Sequence, residues 1–414
     1  MKYILFSLIA SFILITTNTF AGGFQLNEHG ARALALGGAF TAVANDPSAV
    51  YWNGAGLSQL SGTNIMIGTS LIAPQSSFRG VYPEVTKYRT TNQVFFPTHF
   101  FATHAFNKEW SVGLGFTTPF GLGTEWDNDW VGKYLAIKTE VMTFIVTPVV
   151  TYTPVKYVSL SAGFVYSFAN VTITRKSQLS TLLAQDAFVN LEGSDNFAYG
   201  YNAGIMIKPT DYLTIGASYH SEVKYDFEGT ATTTGPALYQ SSLPNGDINA
   251  ELTTPQNIAV GVAVNITDRL MMSADYQFVG WSSYDYLNVN FVDESYEDIS
   301  SPRLYDDSYI IRLGAGYHLN DQVDLRGGIY FDKNPVSSKY LNPSLPEGDR
   351  LGFSLGVEAK LFENLSIQGS YLFIRAKQLT VSDSEEIYSE PTSVFNGTYN
   401  SIANIFSLSF VFSL

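Results

Sequence analysis

Residues 351–362 read LGFSLGVEAKLF. Leu351, Phe353, Leu355, Val357, Ala359 and Leu361 are apolar, and the residues between them (Gly352, Ser354, Gly356, Glu358, Lys360) are small or charged. Alternation with a period of two marks a β-strand with unlike faces. A soluble sheet buries the apolar face. A membrane barrel turns that face to lipid and keeps the small and charged residues inside. The rest of the chain must decide between the two.

The pattern returns along the sequence. Ile311, Leu313, Ala315, Tyr317 and Leu319 alternate with Arg312, Gly314, Gly316 and His318. Ile258, Val260, Val262, Val264 and Ile266 alternate with Ala259, Gly261, Ala263 and Asn265, and Phe406, Leu408, Phe410, Phe412 and Leu414 with Ser407, Ser409, Val411 and Ser413. The spacing predicts fourteen strands, near 61–73, 93–106, 110–118, 139–153, 156–174, 195–208, 212–229, 251–266, 269–291, 304–319, 322–333, 350–362, 365–381 and 401–413. Six connections are turn-like, around Asn107-Lys108-Glu109, Pro154-Val155, Pro209-Thr210-Asp211, Thr267-Asp268, Asn320-Asp321 and Glu363-Asn364. Longer loops alternate with them. Tight turns at one end, long loops at the other and an even strand count are the pattern of bacterial outer-membrane barrels. The alternative, a soluble all-β fold, has no reason to sort its connections. In hydrocarbon an open sheet edge leaves costly unpaired N–H and C=O groups, so the sheet must close. The expected fold class is all-β: a transmembrane antiparallel β-barrel of 14 strands with an N-terminal hatch (plug) in the lumen.

Composition agrees. The 414 residues include 26 Tyr and 29 Phe, yet only 14% are charged, against about 25% in soluble domains. The net charge of −14, without a dense Lys/Arg cluster, argues against nucleic acid. With no Cys there is no disulfide framework, thiolate metal site, Cys catalysis or lipoprotein anchor. G-x-S-x-G, P-loop and dinucleotide signatures are missing, and an enzyme is not expected. A Ser–His pair assembled across strands is the remaining enzymatic alternative. His99 and His104 lie five apart on one strand, so they face opposite ways and cannot share a metal. The acidic clusters Asp127/Asp129, Asp293/Glu294/Glu297/Asp298 and Glu385/Glu386 read as solvated loop tips, with surface divalent cations as the alternative. No cofactor or metal is expected.

Lys2, the apolar run Ile4–Ile15 and the small residues Thr19 and Ala21 form a secretory signal peptide over residues 1–21, with the mature chain starting at Gly22. A retained anchor is the alternative, but the run is short for a span. Residues 22–60 fit no strand and are rich in Ala and Gly. They read as a hatch with a short helix within 30–40, or as a periplasmic tail. Residues 61–414 form the barrel. A second helix is expected in LSTLLAQDAFVNL (179–191), with Leu179, Leu182, Leu183 and Ala187 on one face.

The most distinctive loop is TTPFGLGTEWDNDWVGKYLAIKTE (117–140). With the preceding Phe116 it gathers Phe120, Leu122, Trp126, Trp130, Tyr134 and Leu135, too apolar for a solvated loop; exposed apolar surface marks binding. Lys208, Arg312, Arg326 and Lys360 occupy the polar phase of their strands, as do Asp275, Asp324 and Glu358. They read as mutual ion pairs, or Arg312 and Arg326 as a grip on an anionic head group.

Three blocks carry a resemblance: GGFQLNEHGARALALGGAFTAVANDPSAVYWNGAGLSQL (22–60), TPFGLGTEWDNDWVGKYLAIKTE (118–140) and FDKNPVSSKYLNPSLPEGDRLGFSLGVEAKLFENLSIQGSYLF (331–373). The mature chain resembles the outer-membrane long-chain fatty acid transporters, the FadL-type barrels, which include aromatic hydrocarbon uptake channels. The resemblance implies passive uptake of hydrophobic compounds. Cargo lands in a groove between outer loops, here Phe24, Leu26, the aromatic loop and Leu182/Leu183, and passes to a pocket inside. It implies a sideways exit where the third strand kinks inward; here that strand is WSVGLGFTTP (110–119), with Gly113 and Gly115 as the permissive positions. The family's hatch carries Asn-Pro-Ala facing the kink, where this chain has Asn53-Gly54-Ala55, and such barrels usually end in Phe, where this one has Leu414. Each buried CH₂ of an acyl chain gains about 0.8 kcal/mol, and a side exit spares it a return to water. The expected partners are a hydrophobic small molecule, outer-membrane lipid and lipopolysaccharide, and the expected state is a monomer. The competing class is a general porin or structural barrel.

Overall fold

The computed structural model describes residues 23–180, 185–389 and 393–414. The expected signal peptide lies outside the described residues. The wall is built from fourteen strands: β1 (Thr63–Gly80), β2 (Thr98–Ala105), β3 (Trp110–Thr117), β4 (Lys138–Val155), β5 (Val158–Ser180), β6 (Gln185–Thr210), β7 (Leu213–His220), β8 (Asn257–Asn265), β9 (Leu270–Val279), β10 (Ser308–Asn320), β11 (Val323–Asp332), β12 (Arg350–Phe362), β13 (Leu365–Ala376) and β14 (Gly397–Ser413). Each pairs antiparallel with the next, and β14 closes on β1 from Asn64↔Ser413 to Gly80↔Gly397. Closure leaves no edge in the wall, as hydrocarbon demands.

Strand β12 answers the question raised by its sequence. Leu355 is 69% exposed, with Leu351, Phe353, Val357 and Leu361 exposed alongside it, while Ser354 and Glu358 are buried. The exposed face is the greasy one and the buried face the polar one, the reverse of a soluble sheet. Strand β14 repeats this: Phe406, Leu408 and Phe412 face out, and Ser407 and Ser409 face in. The apolar exterior is a lipid-contacting band.

The six short connections fall at one end, together with Gly62 and Leu414, and side chains shape them. Asn107 Oδ1 accepts from the amides of Glu109 and Trp110 at 2.8 and 2.9 Å, Thr267 Oγ1 from Arg269 and Leu270, and Asn320 Oδ1 from Gln322 and Val323. These are local turns that cost no ladder bonds.

Four expected strands are interrupted. The segment 365–381 breaks at Lys377-Gln378, 212–229 at Ser221-Glu222, 251–266 at Pro255-Gln256 and 269–291 after Val279. Pro255 cannot donate to a ladder. Beyond the last three breaks, Val223–Thr234, Gly246–Thr254, Tyr286–Phe291 and Ile299–Pro302 pair with one another and with the far end of β6, forming an outer sheet above the barrel. The helix expected over 179–191 is also corrected. Leu179 lies in β5 and Ala187 in β6, paired as a hairpin through Ser177↔Ala187 and Lys176↔Phe188. Ala187, Val189 and Leu191 are the buried positions, a period of two that helical spacing cannot produce. Leu182 and Leu183 lie outside the described residues.

Residues 23–60 contribute a short helix, Ala31–Ala35, a further turn at Ala49–Trp52 and a 3₁₀ turn at Gly54–Gln59. They contact inward-facing groups around the ring. Ser70 Oγ of β1 donates to Glu28 O (2.9 Å), and Ala31 N donates to Ser409 Oγ of β14 (3.2 Å). Ser354 Oγ of β12 donates to Ala35 O (2.9 Å), and Thr151 Oγ1 of β4 to Gly54 O (2.7 Å). Phe40 N and Thr41 N both donate to Asp275 Oδ2 of β9, at 2.9 and 2.8 Å. The approach is close enough that a Cβ on Gly328 would sit 2.2 Å from the Leu36 carbonyl carbon. Glycine on the wall strand is what admits this backbone.

Candidate functional site

The third wall strand leaves the ladder at Thr118-Pro119-Phe120. Strand β3 pairs with β2 and β4 up to Phe100↔Phe116 and Thr117↔Ile145. The chain then turns inward and pairs with the N-terminal segment instead: Leu26 N donates to Pro119 O (2.8 Å), Gly121 N to Phe24 O (3.1 Å), and Gln25 bridges Phe120. It rejoins β4 at Gly121–Glu125. The bend expected at Gly113 and Gly115 is therefore displaced along the strand, because both glycines sit in regular ladder pairs. Their missing side chains instead make room for the N-terminal segment. A Cβ on Gly113 would lie 2.5 Å from Val50 and one on Gly115 2.9 Å from Val50. Asn53, Gly54 and Ala55 are nearby and buried. Asn53 Nδ2 donates to Thr41 O and to Ile205 O of β6, and a Cβ on Gly54 would meet Val149 at 2.7 Å.

Two apolar cavities flank this excursion. An inner chamber of about 310 Å³ is lined by Leu26, Phe95, Phe120, Met142 and Phe144, among others. Its lining includes Phe96 (60% exposed) and Met142 (42% exposed), which also belong to the outer surface of the wall. An outer chamber of about 100 Å³ lies among the loops, lined by Leu135, Val171, Leu191, Phe227 and Tyr305. Phe24, Leu122, Val141 and Leu345 line both. Phe24 is the partition's aromatic centre, edge-on to Trp281 (4.8 Å), Tyr284 (5.9 Å) and Phe120 (6.1 Å).

The expected site residues divide accordingly. Phe24, Leu26, Phe120, Leu122 and Leu135 line the chambers. Phe116 does not: its strand phase turns it outward, where it stacks toward Phe144 at 6.2 Å. Trp126 and Trp130 stack on each other at 4.1 Å and lie buried in the loop cap, their indole N–H groups donating to Pro343 O (3.0 Å) and Ala136 O (2.8 Å). They line neither chamber and hold the cap together. Tyr134 donates to Asp186 Oδ1 (2.8 Å), clamping the loop to the β5–β6 hairpin. Burial and that carboxylate push its hydroxyl up to about 12, so it stays a donor.

Arg312 and Arg326 also stand apart from the chambers. Arg312 Nη1 donates to Gln277 Oε1 (2.6 Å) and its guanidinium lies 5.8 Å from the Trp52 ring. Arg326 bridges Asp324 and Glu358, both at 3.0 Å, and Glu358 also binds Arg32 at 2.6 Å. Arg312 meets the N-terminal segment at Trp52, while Arg326 supports the Glu358 carboxylate that holds Arg32 and borders a polar cavity at the turn end.

The charged groups that do line the chambers are others. Arg303 borders the outer chamber, with Glu386 at 3.4 Å. Burial raises the Glu386 carboxyl against the pull of Arg303. Glu28 and Arg350 border the inner chamber. Arg350 donates to Gly23 O (2.7 Å), pairs closely with Glu347 and lies 3.8 Å from Asp332. Burial pushes the Glu28 carboxyl up to about 7, against the pull of Arg350. Arg350 was legible as the polar-phase residue immediately before Leu351. Glu28 had no local signal, since its environment is assembled from distant strands.

Over residues 12–414 the chain matches the family described as outer membrane protein transport protein (OMPP1/FadL/TodX). It is 25% identical over 419 residues to the long-chain fatty acid transport protein of Escherichia coli O6:H1, covering 92% of each chain. Its fold is similar to the crystal structure of a Pseudomonas aeruginosa FadL homologue (TM-score 0.82, 20% identity, 96% of this chain and 100% of that one). It is also similar to the P. putida toluene transporter TodX (TM-score 0.72, 16% identity, 96% and 99% covered). Matching the family over nearly its whole length, with a closed fourteen-stranded wall and a lipid-facing exterior, the chain belongs to the OMPP1/FadL/TodX family of outer-membrane transport proteins.

Proposed function

We propose that this protein takes up hydrophobic compounds, long-chain fatty acids or related molecules, passively across the outer membrane. Cargo enters the outer chamber, passes Phe24 into the inner chamber and leaves sideways past Phe96 and Met142 into the bilayer. Residues 22–60 act as the hatch that closes the bore to water. The observation that carries this reading is the lining of the inner chamber, which runs from Phe24 to Phe96 and Met142 on the lipid face, beside a stretch at 118–120 where the third strand has no ladder pair with β2. Apolar cargo follows such a path because every step keeps it out of water. Its position in the outer-chamber lining supports Arg303, rather than Arg312 or Arg326, as the cation for an anionic head group.

The test is oleate uptake by cells that depend on this protein. Met142→Arg or Phe96→Arg puts a solvated cation in the exit, and uptake should fall at least about tenfold while the barrel still assembles. Undiminished uptake in both variants would remove the sideways route. A second reading, uptake of aromatic hydrocarbons, is favoured by the rings of Phe24, Phe95, Phe96, Phe120 and Phe144 in the inner chamber. Competition between toluene and oleate for the purified protein separates the two.

A further inference from the structure

The polar groups of the inner chamber are unbalanced. Among the described residues its lining holds one guanidinium, Arg350, which is spent on the Gly23 carbonyl and the Glu347 carboxylate, with Asp332 beside it. Two carboxylate oxygens in the lining, Glu28 Oε2 and Glu347 Oε2, have no hydrogen-bond partner. Glu28 is only 8% exposed, so bulk water does not solvate it freely. Gln25 Oε1 and Thr118 Oγ1 are also unpartnered, though an amide can turn and a hydroxyl can donate. Above about pH 7, where Glu28 has lost the proton that burial helps it keep, the two carboxylates only accept. A buried acceptor without a donor is costly, and a cavity that keeps two of them beside an apolar wall is shaped for something that brings a donor.

We propose that the inner chamber selects cargo with a neutral hydrogen-bond donor at one end of an apolar body, such as an alcohol, a phenol or an undissociated acid, and that Glu28 is the acceptor that receives it. This rests on the uptake reading above and narrows its cargo. A carboxylate anion finds no free cation here and meets two acceptors of its own sign. A plain hydrocarbon fits the walls but leaves Glu28 unpaired. Discrimination of this kind is strong because a site built to pair a hydroxyl penalises the analogue lacking it.

The test is calorimetric titration of the purified protein in detergent with three probes of equal chain: 1-dodecanol, its methyl ether and dodecanoate at pH 9. The alcohol should bind about tenfold or more tighter than the ether, and dodecanoate no tighter than the ether. In Glu28→Gln, which keeps the size of the side chain, the alcohol's advantage over the ether should shrink several-fold while ether affinity holds. Equal affinities of alcohol and ether for the unaltered protein overturn the inference but leave the chamber as a binding site. Tighter binding of dodecanoate than of the alcohol in Arg303→Gln, which removes the outer-chamber cation, also overturns it. If no probe binds, the uptake reading and this inference fall together. If Glu28→Gln loses the ether as well, Glu28 shapes the chamber rather than receiving the donor, and the inference fails.

Discussion

Glu28 and Arg312 show opposite uses of a buried charge. In the unfolded chain Glu28 ionises near the ordinary 4.5, while in the folded protein burial holds the proton up to about 7. The sign follows. The folded form is penalised by ionisation, so the cost is absent below about 4.5, grows as pH rises and is complete above about 7. That window corresponds to about 3 kcal/mol. Glu28→Gln should therefore raise the thermal midpoint in detergent at pH 8, with the two proteins converging by pH 4; a constant difference across pH would show that ionisation is not the cause. Arg312 is instead held by Gln277 and lies opposite Asp275 in the ladder, and Asp275 accepts both Phe40 N and Thr41 N. Arg312→Ala should cost about 2–4 kcal/mol by stranding these partners. Amide exchange at Phe40 and Thr41 should speed up, with the wall strands unaffected; unchanged exchange there would separate Arg312 from the N-terminal segment.

At the level of elements, the break in the third strand comes from a trade of partners. Pro119 has no N–H to give the ladder, and its carbonyl accepts from Leu26 of the N-terminal segment. The resulting excursion is stabilised by Phe120 against Phe24 and by the bonds between Phe120 and Thr143 Oγ1. Gly113 and Gly115 serve the same docking from below. Gly113→Arg would drive a long side chain into Val50 and Leu57, so it should release the N-terminal segment rather than straighten the strand. Trypsin should then cut at Arg32 in the assembled barrel; resistance equal to the unaltered protein would contradict this packing. In the loop cap, the buried pair Trp126 and Trp130 predicts a different outcome. Trp126→Ala should cost about 3–5 kcal/mol locally, read as faster exchange in residues 126–137 with normal barrel assembly.

The whole molecule is an inside-out sheet closed on itself. Its band of exposed Leu, Ile, Val and Phe needs detergent or lipid, and the protein should aggregate when detergent is diluted away. Residues 23–60 bond to β4, β9 and β14, spaced around the ring, and a segment so held is expected to slow the passage of water and sugars. Liposomes carrying the protein should swell slowly in small sugars, and deletion of residues 23–60 should raise the rate by an order of magnitude or more. Fast swelling of the intact protein would favour the general porin.

The fourteen strands, their alternating faces and the single end that holds the short turns were all legible because they depend on local chemistry: side-chain period, turn formers and the length of connections. The short helix near residues 31–35 was legible for the same reason. The chambers were not. The period of two says which face a residue occupies, but not whether that face meets the bore, the N-terminal segment or a cavity. So Arg312 and Arg326 read like candidate ligand groups until their partners on distant strands came together around them. Leu179 and Ala187 fit a helix until pairing across the hairpin supplied backbone bonds to a strand. The position of the break at Thr118–Phe120 and the unpaired carboxylate of Glu28 exist only once segments far apart in the chain share one space. Sequence patterning encodes local periodicity, whereas burial and hydrogen-bond balance belong to the assembled fold.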